Sequence, residues 1–412
     1  MSLFPLDFVL RRLIRHGRLT VIDVDGRTHA FGRPDGKPAV TIRMRDPNFK
    51  WRVAFNPGLH TGEGYMDEAW TLEEGTLREF LEVGMVSQAM AMSNAALAVA
   101  MRRAQALAQS GRMFNRIGKA QRNIEHHYDI DHDLYKLFLD KDMQYSCAYW
   151  REGTTSLDDA QVDKKRHIAK KLLLEPGMSV LDIGSGWGGM ALHLAREHGV
   201  SVTGVTLSKD QYETSIRRAD EAGLSERVRF KLLDYRLEPD QYDRIVSVGM
   251  FEHVGRPHFR EFFAHVKRLL KDDGIALIHT IAKMRDPGPT NDWILKYIFP
   301  GGYLPTLSEL APAIEKEGLW LTDLEILRLH YAKTLKAWDT RFQARRAEVA
   351  ARMGERFCRM WEFYLQGSEM SFRVGELCNF QLQFAKKVGV VPLTRDYIHD
   401  EREAAQSRVA AE

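Results

Sequence analysis

The stretch Val180-Leu-Asp-Ile-Gly-Ser-Gly-Trp-Gly-Gly189 places a glycine-rich turn between an apolar run and a helical pattern. The apolar run, residues 179–183, is short and continuous, as in a strand that is buried on both faces. Beyond the turn, helical patterns over 190–198 and 209–222 alternate with strand patterns over 201–206, 228–233, 242–248 and 274–281. This alternation predicts an α/β domain built on a parallel sheet.

The glycine-rich turn predicts a cofactor, because glycines let the backbone approach a ligand closely. It satisfies the GxGxxG dinucleotide pattern, which also requires an acid at the end of the second strand. That strand ends Val205-Thr-Leu-Ser208, without an acid, whereas Asp182 precedes the glycines and Asp234 follows the third strand. This layout favours S-adenosylmethionine, whose amino and ribose groups need partners, over NAD. A tight turn without a cofactor is the remaining alternative.

Further motifs follow in a fixed order along the chain. They are Tyr145-Ser-Cys-Ala-Tyr149, Val205-Thr-Leu-Ser208, Phe251-Glu-His-Val-Gly255, Tyr297-Ile-Phe-Pro-Gly-Gly302 and His330-Tyr-Ala332. Together with the glycine turn they closely resemble the cyclopropane fatty acid synthase family, over about residues 126–386. The resemblance implies an S-adenosylmethionine-dependent methyltransferase (Rossmann-like) α/β domain with helical, lipid-facing insertions. It also implies an activity, which is transfer of a methylene group from S-adenosylmethionine to the cis double bond of unsaturated phospholipid acyl chains.

The resemblance assigns cofactor contacts along the whole sheet pattern. Tyr128, Tyr145 and Ser146 correspond to residues at the methionine end of the cofactor. The complete set of expected contacts is Tyr128, Tyr145, Ser146, Asp182, Gly184, Gly186, Gly188, Thr206, Leu207, Ser208, Gln211, Asp234, Tyr235 and Arg236. Ser185 stands where the family often has cysteine, and because the backbone makes that contact, little consequence is expected.

The implied chemistry requires a dry site and a base. Methyl transfer to an alkene leaves a carbocation, which water would trap, and a proton must then leave the new methyl group to close the ring. By resemblance, a bound bicarbonate ion is the base, in a pocket formed by Cys147, Glu252, His279, Ile281 and Tyr331. Glu252 would strengthen the pull of bicarbonate on the proton, with His279 and Tyr331 as hydrogen-bond donors. No metal is expected.

Each pocket residue also has a structural interpretation. His279 could be a satisfied core histidine, Glu252 a charge at a helix N-terminus, and Tyr331 a core residue. Cys147 has no partners that suggest an activated thiol, and Cys358 and Cys378 lie in helical, aromatic-rich sequence typical of a core. Aromatic residues later in the chain could wall an acyl channel or simply pack together. They are Trp293, Tyr297, Phe299, Tyr303, Trp361, Phe363 and Tyr364.

The distribution of charged residues indicates what kind of surface the protein could bind. Residues 1–60 hold eleven Lys and Arg against five Asp, and residues 91–125 hold six against one Glu. A basic amphipathic helix is predicted over residues 4–17. These features are typical of a surface that meets anionic lipid, although solvated helix faces would look the same. We expect unsaturated phospholipid and an anionic membrane surface as partners, no nucleic acid, and by resemblance a homodimer. The expected location is cytoplasmic, peripherally attached to the inner face of the cell membrane.

The predicted organisation has four parts. Residues 1–105 form an α+β domain for lipid docking, with strands over 19–24, 28–31, 39–43 and 51–55 and helix from residue 72 onward. A basic linker helix spans 106–125, the methyltransferase domain spans 126–395, and a charged tail spans 396–412. By resemblance, the first domain belongs to the bacterial phospholipid enzymes and is missing from shorter mycolic acid members. The alternatives are a methyltransferase that does not close a ring, acting on a lipid or a small amine, and a non-catalytic lipid-surface protein.

Overall fold

The structure of the chain is a computed structural model that describes residues 3–92 and 132–399. By contacts, these residues form two compact units. Unit 1 combines residues 3–92 with 284–301 and 331–377, and unit 2 holds 132–283, 302–330 and 378–399. Within the described ranges, no helix is both long and apolar enough to cross a bilayer.

Helices and strands are numbered in chain order over the described residues. The helices are α1 (Leu6–Leu13), α2 (Phe49–Phe55), α3 (Pro57–Met66), α4 (Leu77–Met92), α5 (His132–Phe138), α6 (Leu157–Leu172), α7 (Gly189–His198), α8 (Lys209–Glu221), α9 (Phe259–Leu269), α10 (Asp292–Tyr297), α11 (Leu307–Glu317), α12 (His330–Ala344), α13 (Arg346–Met353) and α14 (Glu355–Arg373). The strands are β1 (Arg18–Ile22), β2 (Thr28–Gly32), β3 (Ala39–Met44), β4 (Trp70–Glu74), β5 (Ser179–Ile183), β6 (Ser201–Thr206), β7 (Val228–Leu232), β8 (Tyr242–Val248), β9 (Leu270–Lys283), β10 (Trp320–Leu327) and β11 (Leu377–Ala385).

Unit 1 is built on a four-stranded sheet in the order β2-β1-β3-β4. Strand β1 buries alternate residues, among them Leu19 and Val21, because one face of the sheet covers the core and the other meets solvent. The first three strands predicted from the sequence are confirmed. Helix α1 also forms where an amphipathic helix is predicted, and it buries Leu6 and Leu10, with Ile14 just after its end, in the core of its own unit.

Two predictions for unit 1 are wrong. Residues 51–55 form part of helix α2 and not a strand, and they find no sheet partner. Their alternation of apolar residues looks like a strand pattern, but Trp51 and Phe55 are exposed. Conversely, residues 72–74 are predicted helical and belong to β4, because Trp70 is buried in the core and pairs across the sheet with Met44. Tertiary pairing overrides local preference here.

Unit 2 contains a seven-stranded sheet in the order β10-β11-β9-β8-β5-β6-β7. The pairs joining β7, β6, β5, β8 and β9 are parallel, and β10 pairs with β11 antiparallel. The predicted parallel sheet is therefore confirmed, with helices α7 and α8 where the sequence places them. From β5 the strand order runs outward in both directions, so the carboxyl ends of β5 and β8 flank a topological switch point, where α/β sheets bind ligands.

The two compact units do not follow the domain boundaries predicted from the sequence. Residues 284–301 and 331–377 fall within the predicted 126–395 domain, yet they pack with the N-terminal segment because they share its core. The ring of Trp293 contacts Phe363, and Arg78 of α4 pairs with Glu369 of α14 at 2.8 Å. The assignment of 126–395 to one methyltransferase domain stays a prediction. The proposed linker helix over 106–125 and most of the tail lie outside the described residues.

The three cysteines are buried, as expected of core residues. Cys358 lies on α14, in helical sequence as predicted. Cys378 lies on strand β11, so the prediction of a helical context was wrong for that residue. The alternation of apolar and polar side chains over residues 378–384 places Cys378 in the hydrophobic core of unit 2.

Candidate active site

A cavity of about 1210 Å³, part of it open to solvent, lies at the carboxyl ends of β5, β6, β7 and β8 in unit 2. Most of the predicted cofactor residues line it. They are Tyr145, Ser146, Asp182, Gly184, Gly186, Thr206, Leu207, Gln211, Asp234, Tyr235 and Arg236. Gly188 and Ser208 are not among the lining residues. Gly188 is the N-cap of α7, and the Ser208 hydroxyl caps α8 by accepting from the Gln211 backbone N–H. Tyr128 lies outside the described residues.

The glycine turn needs its glycines for conformation as well as space. Gly184 and Gly186 have φ values of +80° and +55°, in the left-handed region that side chains rarely adopt. At Gly184 an added Cβ would lie 2.8 Å from the side chain of Met250, whereas at Gly186 it would meet nothing within 4 Å. Because Gly186 lines the cavity, that open space is where a ligand would approach the backbone.

Asp182 provides the clearest unsatisfied group in the cavity. Its side chain is buried, and its Oδ2 atom has no hydrogen-bond partner among the described residues. Burial raises the pKa of Asp182 to about 7, because the charged carboxylate loses its hydration, although nearby Lys164 acts in the opposite direction. A cationic ligand group would satisfy this oxygen. The α-ammonium of S-adenosylmethionine fits that requirement, so the cavity residues fit the cofactor.

The other cavity wall carries polar groups that are already oriented. The Thr206 hydroxyl donates to Gln211 Oε1 at 2.9 Å, which leaves the Gln211 amide nitrogen as a donor. The Asp234 carboxylate accepts two hydrogen bonds from the Arg236 guanidinium, at 2.9 and 2.6 Å. Asp234 therefore positions Arg236, and both of its oxygens are engaged.

Glu252 lies in a short 3-10 turn after β8, next to the cavity wall but not on it. The Ile281 backbone N–H donates to Glu252 Oε1 at 2.6 Å, while Oε2 is buried with no partner among the described residues. Burial raises the pKa of Glu252 to about 7, with the Ile281 hydrogen bond opposing that shift. The carboxyl group is thus poised to take a proton or a hydrogen bond near neutral pH.

His279 lies within β9 and is fully enclosed. Burial lowers its pKa to about 3, so the ring is neutral. The Gln381 amide nitrogen donates to Nδ1 at 3.2 Å, which leaves the ring proton on Nε2. At Nε2 the side-chain amide nitrogen of Asn379 lies 3.4 Å away, and the Oδ1 atom of that amide has no partner among the described residues. Both ring nitrogens of His279 thus meet side-chain amides of β11, and His279 is not a lining residue of the cavity.

The remaining members of the predicted pocket are distributed over both units. Cys147 is buried in unit 2, and burial raises the pKa of its thiol, which agrees with an inert side chain. The backbone N–H of Ile281 donates to Glu252 and is therefore already engaged. Tyr331 belongs to unit 1, where its ring centroid lies 5.7 Å from that of Trp338 and 4.9 Å from that of Phe372.

Comparison with known proteins decides the family. A family model described as mycolic acid cyclopropane synthetase matches residues 115–382. The cyclopropane-fatty-acyl-phospholipid synthase of Escherichia coli (strain K12) is 39% identical over 358 residues, which cover 86% of this chain and 90% of that protein. The chain belongs to the mycolic acid cyclopropane synthetase family. It is an S-adenosylmethionine-dependent methyltransferase, and the resemblance stated from its motifs is confirmed.

Two more relatives show the range of the family. Tuberculostearic acid methyltransferase UfaA1 of Mycobacterium tuberculosis (strain ATCC 25618 / H37Rv) is 34% identical over 387 residues, or 90% of this chain and 89% of that one. The structure of mycolic acid cyclopropane synthase CmaA1 complexed with SAH and CTAB aligns with a TM-score of 0.61 and 33% identity, covering 64% of this chain and 97% of that one. The N-terminal part of this chain is thus matched in a methyltransferase as well as in a synthase, so its presence alone does not distinguish ring closure from methylation within the family.

Several residues of the site escaped sequence reasoning. His253 lines the cavity, and burial lowers its pKa to about 4. Gln161 and Lys164 on α6 contact the cavity wall from behind, and Asn379 and Gln381 contact His279. One signal was readable, because Asn379, Gln381 and their successor Gln383 alternate with apolar residues in an otherwise apolar strand. Their burial shows that this polar row lies inside the protein.

Proposed function

We propose that the chain is a cyclopropane-fatty-acyl-phospholipid synthase, which acts on cis double bonds in the acyl chains of membrane phospholipids. The observation that carries this proposal is Glu252, a buried carboxyl group with one unpartnered oxygen beside the cofactor cavity. A methyltransferase acting on an amine needs no base on the product carbon. Ring closure does need one, and the surroundings of Glu252 and His279 suit a site that removes a proton.

We propose, from the family resemblance, that a bound bicarbonate ion is the base for ring closure. By resemblance, Glu252, His279 and the backbone of Cys147 would hold the ion; Tyr331, a further residue of the family's pocket, stays a prediction. Ile281 would contribute by fixing Glu252 through its backbone N–H. S-adenosylmethionine, when bound, supplies an electrophilic sulfonium methyl group. The chain's own task is to orient the two reactants and exclude water from the cation that follows.

The activity is tested with S-adenosylmethionine and vesicles of unsaturated phospholipid, followed by analysis of the released fatty acids. We expect a product that is heavier by one CH₂ and has lost its double bond without gaining a methyl branch. A methyl-branched product would instead support the second candidate, methylation without ring closure, which the similarity to tuberculostearic acid methyltransferase UfaA1 favours. Absence of turnover would contradict both and leave a lipid-surface protein.

We also propose that unit 1 docks on the membrane, but not through the apolar stripe of α1. That stripe is buried in the core of the unit. Four aromatic side chains remain exposed nearby, and we call them the aromatic patch: Phe4, Phe8, Trp51 and Phe55, with exposures of 56%, 52%, 43% and 82%. The rings of Phe4 and Trp51 touch, with centroids 6.0 Å apart, and the Arg12 guanidinium lies 3.6 Å from the centre of the Phe8 ring. Exposed aromatic groups next to basic side chains suit the interface of an anionic bilayer.

The docking proposal predicts two separable contributions. Replacing Phe8 and Phe55 with Ser should weaken sedimentation with anionic vesicles at both low and high salt, because apolar insertion is insensitive to screening. Replacing Arg11, Arg12 and Arg15 with Ser should weaken it mainly at low salt, since each basic group contributes about 1 kcal/mol near an anionic surface. The matched control replaces the exposed apolar residues Val388 and Leu393 of unit 2 with Ser. If the control weakens vesicle binding as much as the Phe8 and Phe55 pair, docking does not occur through the aromatic patch.

The homodimer and the location on the cytoplasmic face of the membrane stay predictions. Both rest on resemblance to the family. Sedimentation of the purified protein over a range of concentrations tests the first, and fractionation of cells that express the chain tests the second.

A further inference from the structure

Residues 144–146 form part of the wall of the cofactor cavity, and two side chains of α6 hydrogen-bond to them on the side away from the cavity. Gln161 and Lys164 are three residues apart, so they lie on one face of the helix, and neither has any exposed surface. Gln161 Nε2 donates to the backbone carbonyls of Gln144 and Ser146, at 3.1 and 3.0 Å. Lys164 Nζ donates to the side-chain oxygens of the same two residues, at 2.8 and 2.7 Å.

These contacts determine what Ser146 offers to the cavity. An ammonium group only donates hydrogen bonds, so while Lys164 is protonated the Ser146 oxygen accepts from it. The Ser146 hydroxyl proton is therefore directed elsewhere, and Ser146 lines the cavity. The wall presents a donor on this side, while the unpartnered Asp182 oxygen presents an acceptor. A carboxylate and an ammonium on one ligand, as in an α-amino acid, match this pair.

We propose that Gln161 and Lys164 are positioning residues that fix the Gln144–Ser146 wall and turn the Ser146 hydroxyl into a donor for the carboxylate of S-adenosylmethionine. This inference rests on the binding of that cofactor in the cavity. Burial lowers the pKa of Lys164 to about 7, against the opposing effect of Asp140. A ligand carboxylate nearby would favour the ammonium form. Loss of the Lys164 ammonium group should therefore weaken binding of the amino-acid end of the ligand and not of its adenosine end.

The test compares two ligands by calorimetry. S-adenosylhomocysteine carries the amino-acid end, and 5′-methylthioadenosine has a methyl group in its place. In Lys164→Met, the affinity for S-adenosylhomocysteine should fall about 10- to 100-fold, the range for losing a hydrogen bond to a charged group, while the affinity for 5′-methylthioadenosine stays within about two-fold. Equal losses for both ligands would show that Lys164 merely supports the cavity, and unchanged affinity for both would overturn the inference as well.

Two further variants guard against a folding defect. Lys171→Met removes another buried lysine of α6, whose ion-pair partners among the described residues, Asp323 and Glu325, do not line the cavity. It should destabilise the protein without changing the ratio of the two affinities. In Ser146→Ala, adding Lys164→Met should weaken S-adenosylhomocysteine binding no further, because the lysine acts through that hydroxyl, and an additive loss would contradict the inference. If the parent protein binds neither ligand, the cofactor assignment itself fails.

Discussion

Gly186→Val is expected to lower the affinity for S-adenosylmethionine by at least about 100-fold. Gly186 has a left-handed φ of +55°, which a β-branched residue adopts only with strain. An added Cβ would point into free space, and Gly186 lines the cavity, so the valine methyl groups would occupy the place of the cofactor. Isothermal titration of the purified variant with S-adenosylmethionine measures the effect.

Backbone strain alone could weaken binding indirectly, and the chain offers a matched control. Gly223 follows helix α8, has a φ of +65°, and also has nothing within 4 Å of an added Cβ, but it is not a lining residue of the cavity. Gly223→Val should cost a similar amount of stability and leave the affinity near that of the parent. If Gly186→Val binds the cofactor as well as Gly223→Val does, the glycine turn is not the binding site.

Glu252→Gln is expected to reduce turnover at least about 100-fold while S-adenosylmethionine binds within about two-fold of the parent. The substitution keeps the shape and removes the charge that would strengthen the base. Glu252 does not line the cofactor cavity, so binding should be spared. Glu238→Gln is the control, because Glu238 is also buried but its carboxylate pairs with Lys231 and Tyr242, which do not line the cavity. It should keep near-normal turnover. Undiminished turnover of the parent enzyme in buffer depleted of bicarbonate would contradict both the base and the role of Glu252.

The raised pKa of Glu252 adds a stability effect with a defined sign. Its pKa in the folded state, about 7, lies above the ordinary value of 4.5. The carboxyl group therefore contributes stability that is fully present below pH 4.5 and is lost as the pH rises through about 7. The loss amounts to about 3 kcal/mol at most.

Glu252→Gln should consequently have a higher melting temperature than the parent at pH 8.5 and one closer to the parent's at pH 5. The turnover of the parent should rise as the pH increases through 7. An equal difference in melting temperature at both pH values would show that Glu252 is not buried as described.

The sheet and the cofactor cavity could be predicted because their signals are local. Apolar strands, helical spacing and a glycine turn with Asp182 occupy one continuous stretch of sequence, and parallel strands bring their ends to one edge. At residues 51–55 the local signal was misleading, because the structure there depends on pairing with other strands. Alternating Trp51, Val53 and Phe55 fit a strand pattern, but no strand of the described residues pairs with them.

The supporting side chains could not be predicted, because their partners are distant in sequence. His279 meets Gln381 across 102 positions, and the wall at Ser146 meets Lys164 through a helix with no motif of its own. A buried lysine breaks the usual rule that charged residues are exposed, so a hydrophobicity pattern assigns it to the surface. Only the folded structure shows which buried polar groups are hydrogen-bonded to one another.

Unit 1 is assembled from three separate stretches of chain, and this determines when its core can form during synthesis. Its N-terminal sheet leaves the ribosome first, but the helices that complete its core, α12 and α14, are synthesised more than 200 residues later. Until then Arg78 lacks Asp339 and Glu369, the buried carboxylates with which it pairs. Deleting the N-terminal segment would in turn leave these two acids without their arginine. The segment is therefore not packed as an independent module, and grafting it onto a shorter relative requires carboxylates at the positions that match Asp339 and Glu369.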